Sequence, residues 1–417
     1  MNESILDKTQ KVYDLLAEEE ACTGQAKEVG LLLEKLKSQE MTVSIIGQFK
    51  RGKSTLANAI LEDEILPVGI VPVTSAVTKV VYGKRAAEVH FQNGAFESIP
   101  FEKLSAYISE QENADNRLGV DSVILHTPSK FLKNGLTFVD TPGVGSFHKN
   151  NTEVAYQYMK ESDAVIFLLS VDSPINQIEI DFLANTREFA GKFYFAVNKI
   201  DMIGDADLAA YIAYCEKLLC QLMETDTAAI FPVSAKTGKG IEPLKKAVTR
   251  DCKKSAGEIL ERSAEKKLKD LIARTLNQLD FYWKAMNMEY KELDARFAEI
   301  TETISHIKEK AQEAEGLFEL HLNEMKLQLS AKVLELFGME YRYEIEQLPQ
   351  GLVTMGREDF LKQVDELCED LTSTLDRILL YREENAYAVV RRINAINRLT
   401  RQLRKIRDNL CPECRQD

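Results

Sequence analysis

The pattern of hydrophobic and polar positions divides the chain into two parts. From residue 41 to about 250, short runs rich in β-branched and aromatic residues alternate with helix-length segments. From about 253 to 408, apolar residues recur three and four positions apart, as in 268–279, which is typical of amphipathic helices. Residues 1–38 share this second composition, so we expect them to join the helical part.

Seven short runs in the first part are predicted strands, because Gly, Pro, Asn and Asp cluster at their ends. They cover 41–47, 77–83, 87–91, 122–126, 135–140, 163–170 and 192–198. Strands separated by helix-length segments indicate a mostly parallel sheet with helices on both faces. We therefore predict an α/β domain over 39–250.

The second part is predicted to be all-α, with a bundle or stalk over 251–417 and an N-terminal helix over 1–38 that belongs to it. The scarcity of glycine after residue 253 suggests helices of about 40 to 55 residues, or ~60–80 Å at 1.5 Å per residue. Two arrangements remain open. The helices form a stalk with contributions from both chain ends, or a compact bundle that packs against the first domain.

Composition narrows the class of protein. The net charge of -13 argues against a general nucleic-acid binder, since phosphate backbones would be repelled over most of the surface. No stretch reaches the roughly 18 uninterrupted apolar residues of a membrane span. The N-terminus carries acids where a signal peptide would be basic. We expect a cytoplasmic protein, with peripheral association at the inner face of a membrane left open.

A glycine-rich motif follows the first predicted strand and precedes a helical segment. The pattern GxxxxGK[ST] lets backbone N–H groups converge on phosphates at the positive end of the helix. Lys53 would reach the β- and γ-phosphates, and the hydroxyl of Ser54 would ligate Mg²⁺. The predicted phosphate-binding loop comprises Gly47, Gln48, Phe49, Lys50, Arg51, Gly52, Lys53, Ser54 and Thr55.

A second motif, Asp140-Thr141-Pro142-Gly143, ends another apolar strand. An acid at the carboxyl end of a strand beside the first one can hold Mg²⁺ through water, so Asp140 is a predicted metal residue. The backbone of Gly143 is placed to sense the γ-phosphate.

Two further motifs predict the choice of base. Asp201, in the run Asn198-Lys199-Ile200-Asp201, can accept hydrogen bonds from N1 and the 2-amino group of guanine, which adenine does not offer. Asn198 would tie strands together and Lys199 would lie over the ring. The loop Ser234-Ala235-Lys236 would present the Ala235 N–H to guanine O6. Four motifs in this order, each at a strand end, predict a protein that binds GTP and GDP and hydrolyses GTP.

The threonine that completes the Mg²⁺ shell lies in the segment 66–78, where Thr74 and Thr78 both qualify. We favour Thr74, because Thr78 lies in a strand-like run and would serve there as a β-branched ladder residue. The predicted metal ligands are therefore Ser54, Thr74 and Asp140.

The sequence resembles the dynamin superfamily, and within it the bacterial dynamin-like and mitofusin branch. The resemblance is carried by GQFKRGKSTLANAIL, LPVGIVPVTSAVT, FVDTPGVG, VNKID and VSAKTG, over roughly 40–240. It implies a GTPase head on a helical bundle or stalk, and hydrolysis stimulated when two heads pair across their nucleotide faces. It also implies membrane tubulation, fission or fusion, in some cases with a second dynamin-like partner. The family switch loop aligns without a gap on 66–74, which supports Thr74.

Two departures bear on catalysis. Val144 occupies the position after the motif glycine, where small GTPases carry a water-orienting Gln, so the charge that assists hydrolysis needs another source. In dynamin the position of Lys50 holds a serine that helps bind a monovalent cation, and in the guanylate-binding branch an arginine finger. We expect Lys50, with Arg51 as a weaker candidate, to stabilise transition-state charge. The alternative is that both are solvated loop cations.

Two segments are candidates for membrane contact. The run 348–356 would form a stalk tip, or else a turn between helices. The run 391–407 carries seven Arg and Lys residues that we expect to face no acid, beside an apolar stripe of Ile393, Ile396, Leu403 and Ile406. This pattern suits an anionic membrane surface, or a bundle helix that meets the acidic region 312–346.

A competing function is a nucleotide switch of the Era-like class that acts on RNA or on a protein. Such a protein needs an RNA-binding module, and the sequence after residue 250 offers neither a KH-like segment nor a basic domain.

Overall fold

The structure is a computed structural model of the chain. It describes residues 3–68, 77–91, 93–108, 112–113, 117–133, 135–141, 143–144, 155, 158–159, 161–187, 189–316, 318–338, 357–383 and 386–410. These residues fall into two compact units. The α/β unit is built from residues 31–267, and the helical unit from residues up to 30 and from 268 onward.

A nine-stranded sheet forms the centre of the α/β unit. Its strands are β1 Met41–Ile46, β2 Val77–Tyr82, β3 Ala86–Phe91, β4 Phe96–Ile99, β5 Val120–Thr127, β6 Leu136–Asp140, β7 Ala164–Ser170, β8 Lys192–Asn198 and β9 Ile230–Pro232. All seven predicted strands are present. The structure adds β4, a mostly exposed edge strand, and β9, which has three residues and ends in proline, to these seven.

The strand order β4-β3-β5-β2-β6-β1-β7-β8-β9 explains how the motifs meet. Strands β6, β1, β7, β8 and β9 lie side by side and run parallel. Antiparallel pairs occur where β2 meets β6 and where β3 meets β4 and β5. The mostly parallel sheet is confirmed. Five adjacent carboxyl ends consequently share one edge, which is where open α/β sheets bind ligands.

The helices of the described residues are, in chain order, α1 Ile5–Ala17, α2 Thr23–Ser38, α3 Lys53–Leu61, α4 Ser105–Ile108, α5 Gln177–Thr186, α6 Asp205–Met223, α7 Ile241–Lys254, α8 Ala256–Asn287, α9 Tyr290–Glu313, α10 Phe318–Phe337, α11 Arg357–Glu383 and α12 Ala386–Leu410. Short 3-10 turns occur at Glu20–Cys22, Phe101–Lys103, Lys130–Leu132 and Ile200–Met202. The division between the units falls inside α2 and α8. None of the helices described combines the length and the hydropathy needed to cross a lipid bilayer.

Apolar packing fixes α5 and α6 beside the central strands. Phe182 of α5 stacks on Phe167 of β7, with ring centroids 6.2 Å apart, and Phe167 meets Phe195 of β8 edge to face. Cys215 and Leu219 of α6 are buried in the same cluster. This packing sets the position of the segment between β7 and α5, which lies next to the phosphate-binding loop.

In the helical unit, α9 packs against α10 and α11, and α1 packs against α12. Aromatic rings join α10 to α8 and to α11: Phe337 meets Phe281 of α8 with centroids 4.9 Å apart, and Phe318 stacks on Phe360 of α11 at 5.0 Å. The predicted helix length of 40–55 residues is wrong, because α8 to α12 have 32, 24, 20, 27 and 25 residues. The chain leaves the helical conformation near Glu289 and again before α10, where Gly316 has φ +58°.

The basic segment 391–407 lies on α12, and part of its prediction is wrong. Arg398 lies 3.6 Å from Glu18, and Arg407 lies 3.2 Å from Asp408, so two of its cations do face acids. Ile396 and Leu403 of the predicted apolar stripe are buried. Half of the stripe therefore lies in the core of the helical unit, while Ile393 and Ile406 are half-buried. The exposed cations of the segment are Arg391, Arg398, Arg401, Arg404 and Lys405. The other candidate segment, 348–356, lies outside the described residues.

Candidate nucleotide-binding site

The loop 47–52 turns sharply between β1 and α3. Gly52, the N-cap of α3, has φ +91°, and Lys50 has φ +67°, so two left-handed residues flank Arg51. A Cβ at Gly52 would come within 2.7 Å of the Asn198 amide nitrogen, which leaves no room for a side chain. This bend directs the chain into the first turn of α3, where free N–H groups and the helix dipole favour an anion.

Lys53 begins α3 and is buried, with 9% of its surface exposed. Its Nζ donates to the carbonyl oxygens of Gly47 at 3.0 Å and Gln48 at 3.3 Å. Burial lowers the pKa of Lys53 to about 8, although the charges of Asp140 and Glu179 act in the opposite direction. A phosphate would provide the counter-charge that these carbonyls lack.

Ser54 and Asp140 meet directly at the sheet edge. The hydroxyl of Ser54 donates to Oδ2 of Asp140 at 2.6 Å, while the other carboxylate oxygen, Oδ1, is buried and has no partner among the described residues. Burial raises the pKa of Asp140 to about 6, against the effects of the Ser54 hydrogen bond and the Lys53 charge. A hydroxyl and an unpartnered carboxylate oxygen form a donor set that suits a small, hard cation.

Gly143 and Val144 pass close to the phosphate-binding loop. A Cβ at Gly143 would lie 2.9 Å from the backbone nitrogen of Phe49 and 3.1 Å from Nζ of Lys53. Val144 is 1% exposed, and its backbone exchanges hydrogen bonds with Gly47 and Phe49. Its side chain lies in the apolar cluster with Phe167. Val144 therefore neither polarises a water nor faces the solvent.

The two motifs that are predicted to recognise the base converge through Asn198. Its Nδ2 donates to the carbonyl of Arg51 at 2.9 Å, and its Oδ1 accepts from the N–H of Ala235 at 2.9 Å. Asn198 thus joins the phosphate-binding loop to the loop after β9. Ala235, predicted to meet guanine O6, donates to this side chain in the present structure.

Lys199 and Asp201 are held next to this junction. Nζ of Lys199 donates to the carbonyl of Lys50 at 2.8 Å and to Asp172 at 2.6 Å. Asp201 is exposed and accepts from the Ser234 hydroxyl at 2.5 Å. This hydrogen bond, with a smaller effect of the Lys236 charge, lowers the pKa of Asp201 and keeps it an ionised acceptor. The carboxylate is therefore available to paired N–H donors such as those of guanine.

The other residues predicted for the site are three threonines and Lys50. Thr55 lies in the first turn of α3, and Lys50 is exposed, with its Nζ 5.4 Å from the centroid of the Phe49 ring. Thr78 is a ladder residue of β2, opposite Asp140, and its buried hydroxyl has no partner in the part of the chain that the structure describes. Thr74 lies outside the described residues.

Arg51 is not the solvated loop cation that the sequence left open. It is 2% exposed, and its guanidinium binds the carboxylate of Glu179. Asn176 and Asp172, which contact Gln48 and Lys199, were also missed. The sequence carries one readable signal, the capping-box spacing Asn176-x-x-Glu179 at the start of α5.

Comparisons with known proteins identify the family that this chain resembles. Residues 43–201 match the model of the dynamin family. An uncharacterized protein in the xynA 3' region of Caldicellulosiruptor sp. (strain Rt8B.4) is 31% identical, over 72% of this chain and 78% of its own length. Dynamin-like protein 1 of Campylobacter jejuni is 27% identical, over 46% of this chain and 32% of its own, so the match spans about a third of that relative.

A solved structure of an oligomerised bacterial dynamin pair aligns with 96% of this chain and 78% of its own, at 19% identity and a TM-score of 0.44. The family match covers the strands that carry the phosphate-binding loop, Asp140 and Asp201. The relative from Caldicellulosiruptor extends the similarity to most of both chains. The chain belongs to the dynamin family and is a GTPase.

Proposed function

We propose that this GTPase converts GTP to GDP and phosphate fastest when two heads pair across their nucleotide faces, and that pairing is coupled to work on a membrane. The observation that carries the proposal is the burial of Val144, which leaves the residue after Gly143 unable to orient a water. Hydrolysis needs a positioned water and a counter-charge for the transition state, so an additional group has to arrive from elsewhere.

Lys50 supports the pairing proposal. It is exposed at the tip of the loop, and the hydrogen bond from Lys199 to its carbonyl holds its backbone. The other two cations of the loop, Arg51 and Lys53, are buried. In a paired state the exposed side chain of Lys50 can approach the β- and γ-phosphates, in its own head or in the facing one. A bound monovalent cation is the alternative source of this charge.

The nucleotide is proposed to bind along 47–55, with Asp201 selecting guanine. Mg²⁺ would be held by Ser54 directly, by Asp140 through water and by Thr74, and when bound it neutralises charge on the β- and γ-phosphates. The unpartnered Oδ1 of Asp140 supports this assignment. Lys53 would exchange its carbonyl partners for phosphate oxygens.

Turnover measured against protein concentration tests the pairing. The specific GTPase rate is expected to rise with concentration, and to rise further on anionic liposomes that gather the heads. A rate per molecule that stays constant over a hundredfold range of concentration, with and without liposomes, would contradict head pairing.

Membrane contact is proposed to be electrostatic and peripheral, through the exposed cations of α12. Ile396 and Leu403 of α12 are buried in the helical unit, whereas several arginines of the same helix are exposed and available to anionic lipid. Arg398 and Glu18 are both exposed, so their contact is weak and leaves Arg398 able to interact with lipid. We also propose that the head of this chain can pair with the head of a different dynamin-like protein instead of with a second copy of the same chain.

Liposome flotation tests the membrane proposal. Arg401→Glu with Arg404→Glu is expected to abolish salt-sensitive binding to vesicles that contain phosphatidylserine. The matched control, Lys291→Glu with Lys310→Glu, changes the net charge equally at exposed positions of α9. Equal loss in both double variants would indicate a non-specific charge effect, and retention on ribosomal RNA instead of vesicles would favour the Era-like class.

A further inference from the structure

Arg51 and Glu179 form a buried ion pair beneath the phosphate-binding loop. Nε of Arg51 donates to Oε1 of Glu179 at 3.0 Å, and Nη2 donates to Oε2 at 2.7 Å. The two residues are 2% and 0% exposed. A bidentate pair at this depth fixes both the position and the orientation of the guanidinium plane.

The remaining donors of Arg51 are also used. Nη1 donates to Oγ of Ser170 at 2.9 Å and to the carbonyl of Ser173 at 2.7 Å, and Nη2 donates to the carbonyl of Pro174 at 3.1 Å. All five N–H groups therefore have acceptors, which is the condition under which a buried arginine is tolerated. The segment 170–174 joins β7 to the start of α5, so Arg51 anchors the loop to a fixed part of the fold.

Glu179 is itself held by the start of α5. Its Oε2 accepts from the backbone N–H of Asn176 at 3.2 Å, and its N–H donates to Oδ1 of Asn176 at 3.1 Å, which completes a capping box. Asn176 also donates to Oε1 of Gln48 at 2.8 Å. Two residues of the loop, Gln48 and Arg51, thus attach to one helix start.

The backbone around Arg51 needs such an anchor. The residues on either side, Lys50 and Gly52, are both left-handed, at φ +67° and φ +91°. A lysine in this conformation is disfavoured, so a loop without tertiary contacts would relax to other shapes. If only a fraction of the molecules has the loop already ordered, the apparent affinity for the nucleotide is reduced to that fraction of its intrinsic value.

We propose that Arg51 is a positioning residue for nucleotide binding, which holds the loop 47–52 in its phosphate-binding bend through Glu179. The inference rests on the proposed nucleotide site at 47–55. It assigns the side chain of Arg51 no contact with the nucleotide, so loss of that side chain should weaken the binding of GDP and of GTP equally. A residue that stabilised only the transition state would leave GDP affinity unchanged.

The experiment measures Kd for GDP and GTP by calorimetry on the full chain, for the parent protein and three variants. Arg51→Met removes the anchor with similar volume. Glu179→Gln retains the shape of the acid and an oxygen for the capping box, and serves if the methionine variant does not fold. Lys267→Met is the matched control. It breaks the ion pair of Lys267 with the buried carboxylate of Asp163, 3.1 Å apart, near the opposite end of β7.

Arg51→Met and Glu179→Gln are expected to raise Kd for GDP and for GTP by about tenfold or more, by the same factor for both. Lys267→Met is expected to lower the melting temperature and keep both Kd values within about twofold. GDP affinity unchanged in the two test variants, or lost equally in Lys267→Met, would overturn the inference. A parent protein that binds neither nucleotide would instead overturn the proposed site.

Discussion

The hydroxyl of Ser54 donates a 2.6 Å hydrogen bond to Asp140, and this bond joins the start of α3 to the end of β6. The bond occupies one carboxylate oxygen and leaves the other buried without a partner among the described residues. In the proposed nucleotide complex, Mg²⁺ and its water shell would take up both oxygens. Without them, Asp140 is a buried carboxylate with incomplete stabilisation of its charge.

This arrangement predicts how stability depends on pH. Burial raises the pKa of Asp140 from 3.8 to about 6, so between these values the folded, nucleotide-free protein binds a proton that the unfolded chain has lost. The contribution of Asp140 to the free energy of unfolding therefore falls as pH rises from about 4 to about 6. Above pH 6, Asp140→Asn should be more stable than the parent, by on the order of 2–3 kcal/mol.

Denaturant unfolding of both proteins without nucleotide or Mg²⁺, at pH 4 and pH 7.5, measures this difference. The two proteins are expected to be similar at pH 4 and to diverge at pH 7.5. A variant that is no more stable than the parent at pH 7.5 would show that the buried charge of Asp140 does not destabilise the nucleotide-free protein.

The two candidate threonines give opposite predictions. Thr74→Val is expected to reduce GTP turnover at least tenfold, because the proposed Mg²⁺ shell loses a ligand. Thr78→Val should leave turnover unchanged and stability equal or slightly higher, since the buried hydroxyl of Thr78 has no described partner to lose. Single-turnover hydrolysis measures both variants. Loss of activity in Thr78→Val with normal activity in Thr74→Val would reverse the assignment.

Substitutions at Lys50 distinguish a role of its ammonium group in catalysis from a role of its backbone conformation. Lys50→Ala and Lys50→Gly both remove the ammonium group, but only glycine suits φ +67° without cost. If Lys50 supplies charge in the paired heads, both variants lose the concentration-dependent part of GTP turnover, and Lys50→Arg retains it. Stimulated turnover that survives in Lys50→Gly would assign the charge to a bound monovalent cation.

Much of the fold was readable from the sequence because its signals are local. Apolar runs bounded by Gly, Pro and Asn predicted seven strands, and three- and four-residue spacing predicted the helices. Helix length was not predictable in the same way. The interruption at Glu289 has no glycine or proline, so the amphipathic pattern continues through it and does not show where α8 ends.

The sequence predicts ligand contacts through motifs of fixed spacing, because backbone convergence on phosphates and recognition of a base each require such spacing. Arg51 shows the limit of this reasoning. Its partner Glu179 is 128 positions away and lies on another element, and the choice between a solvated, a catalytic and a buried cation depends on that packing. The same holds for Asn176 and Gln48.

Substitution of Asp201 is expected to change which base the site prefers. Asp201→Asn places an amide where the carboxylate accepts, so the guanine 2-amino group faces a donor, and GTP affinity should fall about tenfold or more. Xanthosine triphosphate carries a carbonyl at that ring position and should bind the variant better than GTP. Competition titration measures the order of affinities, and an unchanged preference for GTP would remove Asp201 from base recognition.

The most direct test is calorimetric titration of the full chain with GTP and with ATP, each with Mg²⁺. We expect heat and saturable 1:1 binding for GTP and no measurable binding for ATP at the same concentration. Equal affinity for the two nucleotides, or no heat with GTP, would contradict a guanine-specific site on the loop before Lys53.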